Sequence, residues 1–302
     1  MSHGHHHTAA AAHRSRLLAA FLVTAGVMVA EAVGGWLSGS LALLADAGHM
    51  LSDTAALGLA LAATWLASRP ARGRWTFGWQ RAEILAALVN GAILLTVGVV
   101  VIVEGVGRLG VEREVDPTLM LVVGAVGLVA NLLSLWLLSG GREESLNVRG
   151  AYLEVFGDLL GSVAVVVSAV VIMLTGWTPI DALASIGIGL FIIPRAGLLL
   201  RDVARVLLEG APEDMSLTTV REHMCEVEGV VTVHDLHAWT ITSGVPVVSA
   251  HVVVEDDVLD PARFCVVLDA LQHCLEGHFD VEHSTLQLEP RGHKDTEHRL
   301  HD

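Results

Sequence analysis

Six stretches of this chain are long and apolar enough to cross a bilayer, and no other feature limits the fold so strongly. They lie at about 17–37, 41–66, 84–106, 119–138, 148–174 and 180–200. A helix needs ~20 apolar residues to span the hydrocarbon core, where each backbone polar group must be satisfied within its own segment. The connectors are short: Ser38-Gly39-Ser40 between the first two stretches and Gly176–Pro179 between the last two. Such turns predict antiparallel hairpins. Arginine sets the orientation, because cytoplasmic loops collect positive charge. Ten arginines (14, 16, 69, 72, 74, 81, 142, 149, 201 and 205) fall on one side of the alternating stretches, and two (108 and 113) on the other. Both termini are therefore expected in the cytoplasm, with Trp36, Trp65, Trp136 and Trp177 near the helix ends as interfacial anchors.

Charge divides the chain in two. Residues 1–205 hold 13 Arg/Lys and 14 Asp/Glu, whereas residues 206–302 hold 5 and 19. The greasy part is nearly neutral and the remainder is acidic, so nothing neutralises phosphates in bulk and nucleic acid is excluded as a partner. The acidic part reads as a helix at 214–228, strands at 230–242 and 247–254, a helix from Pro261 to about Leu275 capped by Asp260, and a strand at 281–289. Strand alternation, helical periodicity and the N1 proline support these assignments. The fold class expected is an all-α six-helix transmembrane domain at 17–205, followed at 206–290 by a small α+β ferredoxin-like (αββαβ) cytoplasmic domain. A His-rich cytoplasmic tail (1–16) precedes them and a disordered tail (291–302) follows. His3, His5, His6 and His7 give the first tail a metal-capturing composition. Cys225, Cys265 and Cys274 all fall in the acidic part, an odd count that suits small buried thiols in a reducing compartment rather than a disulfide framework.

Ionisable residues inside a span are expensive and are functional candidates by default. His49 and Asp53 stand four apart on the second stretch, and Glu154 and Asp158 repeat that spacing on the fifth. Residues four apart share a helix face. Together the pairs offer one imidazole and three carboxylates, the number that a tetrahedral divalent ion requires. Glu31, Asp46 and Asp181 are single acids that hydrogen bonding to a neighbour would explain equally well. Neither a His-Glu-x-x-His motif nor a Gly-Lys-Ser/Thr phosphate loop is present. An intramembrane metalloprotease and an intrinsic ATPase are thereby disfavoured, and no enzymatic activity is expected. Few aromatics line the spans, so an organic cation is a poor cargo.

Four runs in this order resemble the cation diffusion facilitator family, whose members include bacterial zinc/cobalt/cadmium exporters and animal zinc transporters. They are Ser38 to Asp53 (Ser-Gly-Ser-Leu-Ala-Leu-Leu-Ala-Asp-Ala-Gly-His-Met-Leu-Ser-Asp), Phe77 to Glu83 (Phe-Gly-Trp-Gln-Arg-Ala-Glu), Ala151 to Asp158 (Ala-Tyr-Leu-Glu-Val-Phe-Gly-Asp) and His234 to Thr240 (His-Asp-Leu-His-Ala-Trp-Thr). The resemblance spans nearly the whole chain. It implies a homodimeric antiporter in the cell (inner) membrane, multi-pass in the lipid bilayer, exporting Zn²⁺-like ions in exchange for protons. The transport ligands it implies are His49, Asp53, Glu154 and Asp158, with a charge interlock between Arg81 and Glu209. It also implies cytoplasmic metal binding at His234 and His251, with His237, His283 and Glu289 as further candidates, so Zn²⁺ would be cargo and a regulatory ion.

Three positions, on the fifth stretch and in the loop after the second, depart from the family pattern. Zinc members carry His where this chain has Glu154, and the extra carboxylate shifts preference in principle towards Cd²⁺, Co²⁺, Fe²⁺ or Mn²⁺. Trp75 and Trp79 replace a metal-binding His pair that some bacterial relatives carry around Phe77-Gly78. The rival from another class is a membrane-anchored metal sensor without transport, which would leave the intramembrane residues idle.

Overall fold

The computed structural model describes residues 6–67, 69–111, 114–139, 146–242, 244–281 and 283–293, and for some helical positions, Asp53 and Glu154 among them, the backbone alone. His3 and His5, with most of the expected disordered tail, lie outside the described residues. The chain divides into two compact units, one of residues 1–62 and 86–200 and one of residues 63–85 and 201–302.

Six long helices come first: α1 (His6–Ser38), α2 (Leu41–Ala67), α3 (Ala82–Arg108), α4 (Pro117–Ser139), α5 (Leu146–Thr175) and α6 (Pro179–Leu207). Among the described residues, four apolar spans are long enough to cross a membrane: Ala82–Arg108, Pro117–Leu137, Val155–Thr175 and Pro179–Leu207. The apolar segments of α1 and α2 whose side chains are described, Leu22–Ser38 and Leu41–Ser52, are shorter. The last helix runs seven residues past the expected end at Leu200. The outer faces of these helices are apolar, as in Trp36 and Leu174, which are 77% and 80% exposed. A surface so apolar belongs against lipid.

In hydrocarbon, helices associate through close packing, and small residues permit it. Gly91, Gly98 and Gly105 recur every seven residues on α3. A Cβ at each would meet Leu200, Ile193 and Ile186 of α6 at 2.9, 3.0 and 2.7 Å. Gly34 of α1 gives the same room to Val123 of α4, and Gly124 of α4 to Val165 of α5. The first half of α2 contributes to two separate clusters. Ala42 and Leu43 pack with Met120, Val165, Ala169 and Ile172 of α4 and α5. Ala45 packs with Leu94, Val101, Ile188, Ile192 and Ala196 of α3 and α6.

The second unit contains α7 (Leu217–Cys225), β1 (Val230–Thr240), β2 (Pro246–Val254), a 3₁₀ turn (Asp256–Leu259), α8 (Pro261–Phe279) and β3 (His283–Glu289). Ser216 caps α7, accepting from the Thr219 N–H, and Asp260 caps α8, accepting from the Ala262 N–H at 2.9 Å ahead of Pro261. The sheet order is β1-β2-β3, with β1 antiparallel and β3 parallel to β2. Alternate residues of β2 (Val248, Ala250, Val252, Val254) join Val220 and Met224 of α7 and Val267, Leu271 and Leu275 of α8 in one core. The intervening positions, Ser249 and His251 among them, therefore face the other side of the sheet. An extra residue is accommodated between His234 and His237, where Asp235 takes a left-handed conformation with φ of 46°.

Two of the three cysteines correct the expectation of buried thiols. Cys225 and Cys265 are exposed, because the first ends α7 and the second lies on the outward side of α8. Only Cys274 is partly covered, and burial pushes its thiol up, with the Glu226 carboxylate acting in the same direction. Alkylation requires the thiolate. At pH 8, Cys274 is expected to react severalfold more slowly than Cys225 and Cys265 in the folded protein, as read by mass spectrometry of iodoacetamide-treated chain. Equal rates for all three would count against this.

Candidate metal centre

Burial makes the acids of the apolar helices informative. Asp181, at the start of α6, is 2% exposed. Its carboxylate accepts from Ser40 Oγ at 2.6 Å and from the backbone N–H groups of Leu41 and Ala42 at 2.8 and 3.2 Å. It thus caps α2 from another helix, satisfying N–H groups that have no partner within their own helix. Glu31 of α1 and Asp46 of α2 face each other, 0% and 1% exposed, and Asp46 also bonds Ser162 of α5. Asn131 of α4 donates to the same Ser162 Oγ at 3.1 Å. Gly161 makes this cluster possible, since a Cβ there would lie 2.2 Å from Asp46 Oδ1.

One turn further along α2, His49 Nε2 lies 3.7 Å from Asp158 Oδ1 of α5, with only 3% and 2% of the side chains exposed. Ligand atoms of a tetrahedral zinc site with ~2.0–2.1 Å bonds stand about 3.3 Å apart. The observed separation therefore suits two ligands of one ion. Helical register places Asp53 one turn beyond His49, and Glu154 one turn before Asp158. The side chains of Asp53 and Glu154 lie outside the described residues.

A third helix reaches this pair through a residue that sequence reasoning passed over. Arg195 of α6 places Nη1 3.4 Å from His49 Nε2. A lone arginine inside an apolar stretch was the available signal; attention to acids and histidines missed it.

A second constellation sits on the face of the sheet opposite α7 and α8. His234 and His251 are cross-strand partners, and Glu289 lies opposite Val253, two positions from His251. Glu289 Oε1 is 3.0 Å from His251 Nδ1 and 3.5 Å from His234 Nε2. One donor atom from each of the three falls within 4.8 Å of the others. The Glu289 side chain is 2% exposed, and His293 Nε2 lies 3.9 Å from its other oxygen. The remaining candidates stand apart from this set. His237 pairs with Asp235 at 3.0 Å, and Asp235 is in turn 3.8 Å from His251. His283 starts β3, six residues before Glu289, which at ~3.3 Å per residue is about 20 Å along the strand. Its ring instead meets the Phe77 ring edge-on, with centroids 5.4 Å apart. Asp235 and His293 are the residues near this set that sequence reasoning did not name.

Arg81 and Glu209 are joined, Nη2 donating to Oε1 at 2.9 Å, with side chains 42% and 59% exposed. Glu83 accepts from Thr242 Oγ1 at 2.5 Å. Trp75 and Trp79 stack with centroids 4.7 Å apart.

Comparison with known proteins decides the family. Residues 17–208 match the profile of the cation efflux transmembrane domain, and residues 212–291 match that of the cation efflux protein cytoplasmic domain. The chain belongs to the cation efflux family. It is 45% identical to the zinc transporter ZitB of Escherichia coli over 295 residues, 96% of this chain and 93% of that one. It is 43% identical to the metal cation efflux system protein CzcD of Cupriavidus metallidurans over 289 residues, 96% and 90% of the two chains. A cadmium, cobalt and zinc/H(+)-K(+) antiporter of Bacillus subtilis is 40% identical over 292 residues, 96% and 93% of the two chains. These cation efflux relatives are transporters, not enzymes. In this cation efflux protein the buried His49–Asp158 pair joins α2 and α5 inside the domain that the transmembrane profile covers.

The glycines around the site give a paired test. Gly161→Ala drives a Cβ into Asp46 and is expected to lower thermal stability by about 1–3 kcal/mol, the usual cost of overpacking. Gly157→Ala meets only the Phe191 ring at 3.6 Å, an ordinary contact, and is expected to be neutral or slightly stabilising. Melting curves in detergent that failed to separate the two variants would contradict this geometry.

Proposed function

We propose that this protein exports divalent transition-metal cations, Zn²⁺ first among them, from the cytoplasm in exchange for protons. In this reading α1–α6 form a six-helix transmembrane domain in the cell (inner) membrane with both termini cytoplasmic. The sheet-bearing unit is a ferredoxin-like domain, and two copies of the chain form a homodimer. The observation that carries the reading is the buried His49–Asp158 pair, which sets an imidazole and a carboxylate at ligand separation on two apolar helices. With Asp53 and Glu154 the set becomes one nitrogen and three carboxylate ligands.

This donor set has direct chemical consequences. Carboxylates must be deprotonated to bind a metal ion, so binding releases protons and protonation promotes release. An inward proton gradient then resets the site after each export step. Glu154 supplies an oxygen where zinc members carry nitrogen. The Irving–Williams order keeps Zn²⁺ ahead of Mn²⁺, while the extra oxygen narrows that lead. On the cytoplasmic side, His234, His251 and Glu289 would hold a regulatory ion, and Arg81–Glu209 serves as the charge interlock. An exposed pair of this kind is worth only ~0–1 kcal/mol, so its role is register rather than stability.

Two experiments test these assignments. Reconstituted in liposomes with an imposed pH gradient, the wild type should accumulate Zn²⁺, and His49→Ala or Asp158→Ala should abolish uptake. Glu154→His should raise the ratio of Zn²⁺ to Cd²⁺, Co²⁺ and Mn²⁺ transport. Uptake that survives His49→Ala would defeat the transport-site assignment. Separately, His251→Ala and Glu289→Ala should each remove about one Zn²⁺ equivalent per chain in equilibrium dialysis while leaving the His49-dependent equivalent in place. Unchanged stoichiometry in both would rule out the cytoplasmic site.

A further inference from the structure

The contact between Arg195 and His49 has a chemical polarity. A guanidinium only donates and stays charged at any physiological pH. In the 3.4 Å contact, His49 Nε2 is therefore the acceptor, offering its lone pair to Arg195 Nη1. The same nitrogen faces Asp158, so it is the nitrogen that a metal shared with Asp158 would bind. An imidazole nitrogen has one lone pair. A metal ion on it would sit ~2.0–2.1 Å away along the lone-pair direction, which leaves no room for a guanidinium nitrogen at 3.4 Å. Arg195 and the metal cannot hold Nε2 together.

We propose that Arg195 is a tethered counter-cation of the transport site: it occupies His49 Nε2 in the metal-free state, is displaced by the arriving ion, and returns to help expel it. The proposal rests on the assignment of His49 and Asp158 as transport ligands. A site with several carboxylates in an apolar surround is costly when bare, and a guanidinium already in place lowers that cost. A divalent ion in the site repels the same guanidinium, so charge as well as sterics drives the exchange.

The helix is built for such an exchange. Ile192 and Ala196, on either side of Arg195 in sequence, are fully buried and pack with Ala45 of α2 and Leu94 of α3, fixing the backbone near the site. Pro194, immediately before Arg195, lacks an N–H and leaves the Leu190 carbonyl without its usual donor, a local weakness in α6. The Arg195 side chain is half-buried, and a long cationic chain in that position reaches towards polar surroundings when it leaves the site.

A merely structural arginine and a competing cation predict opposite signs. Zn²⁺ and Cd²⁺ binding to the purified full chain would be measured by isothermal titration, and transport in liposomes. Arg195→Gln should tighten binding and lower KM about tenfold, within the range of ordinary coupling between sites. It should also reduce kcat, because release loses its returning cation. Arg195→Met, which keeps the stem and removes the charge, should behave likewise and stands in if the Gln variant fails to fold. Arg195→Lys should stay close to wild type. Affinity of the His49-dependent equivalent that is unchanged or weaker in both uncharged variants, while His49→Ala still removes that equivalent, overturns the role of Arg195 and leaves the transport site intact. An unchanged number of Zn²⁺ equivalents in His49→Ala overturns the site itself.

Discussion

A charged or strongly polar side chain inside an apolar helix bundle must be met by a partner, because hydrocarbon offers no water to do it. The first unit of this protein is organised around that constraint. Among the described residues, four sets of buried polar groups lie along the first half of α2: Asp181 at the helix N-terminus, Glu31 with Asp46, Ser162 and Asn131 in the middle, Asp158 with Arg195 around His49, and Ser52 donating to Asn90 of α3. Each set draws on at least one other helix. The apolar packing fits around them, with Ala42 and Leu43 turned to α4 and α5 and Ala45 turned to α3 and α6. Glycine is required where a polar group comes closest, as at Gly161 beside Asp46 and Gly127, whose Cβ would lie 2.4 Å from Glu31 Oε1.

The sheet-bearing unit solves a different problem. Its core is ordinary, with one face of β2 buried against α7 and α8. Its chemistry lies on the other face, where an alternating strand is free to carry polar residues. The bulge at Asp235 matters there. It re-aims the strand so that His234 and His237, three residues apart, both come to the face shared by Ser249 and His251. Without the extra residue, period-two alternation would send one of them into the core. Glu289 then arrives from the parallel strand β3, buried where His234, His251 and His293 can surround its carboxylate.

Much of this is legible in the chain itself. The i, i+4 spacing of His49/Asp53 and Glu154/Asp158 marks two helix faces directly, since helix period alone fixes which side chains are neighbours. The same holds for the α8 cap, where Asp260 and Pro261 announce the helix start. The misses have physical reasons. Arg195 escapes notice because a search for acids and histidines as metal ligands passes over a cation inside an apolar stretch. His283 shares strand parity with Glu289, yet six residues of extended chain separate them. Asp235 enters the neighbourhood of His251 only through a bulge, which no periodicity reveals.

Sequence alone determined the apolar helices, the acidic α+β part, the i, i+4 spacing of His49/Asp53 and Glu154/Asp158 and the family, because each depends on local period or on motifs contiguous in the chain. Tertiary structure decided which buried acids cap or pair with neighbours, which tail histidines meet on one carboxylate, and that Arg195 meets the His49 nitrogen that also faces Asp158. Those relations hold between residues up to 146 positions apart. Only packing, driven by the need to satisfy polar groups in an apolar surround, brings them within bonding distance.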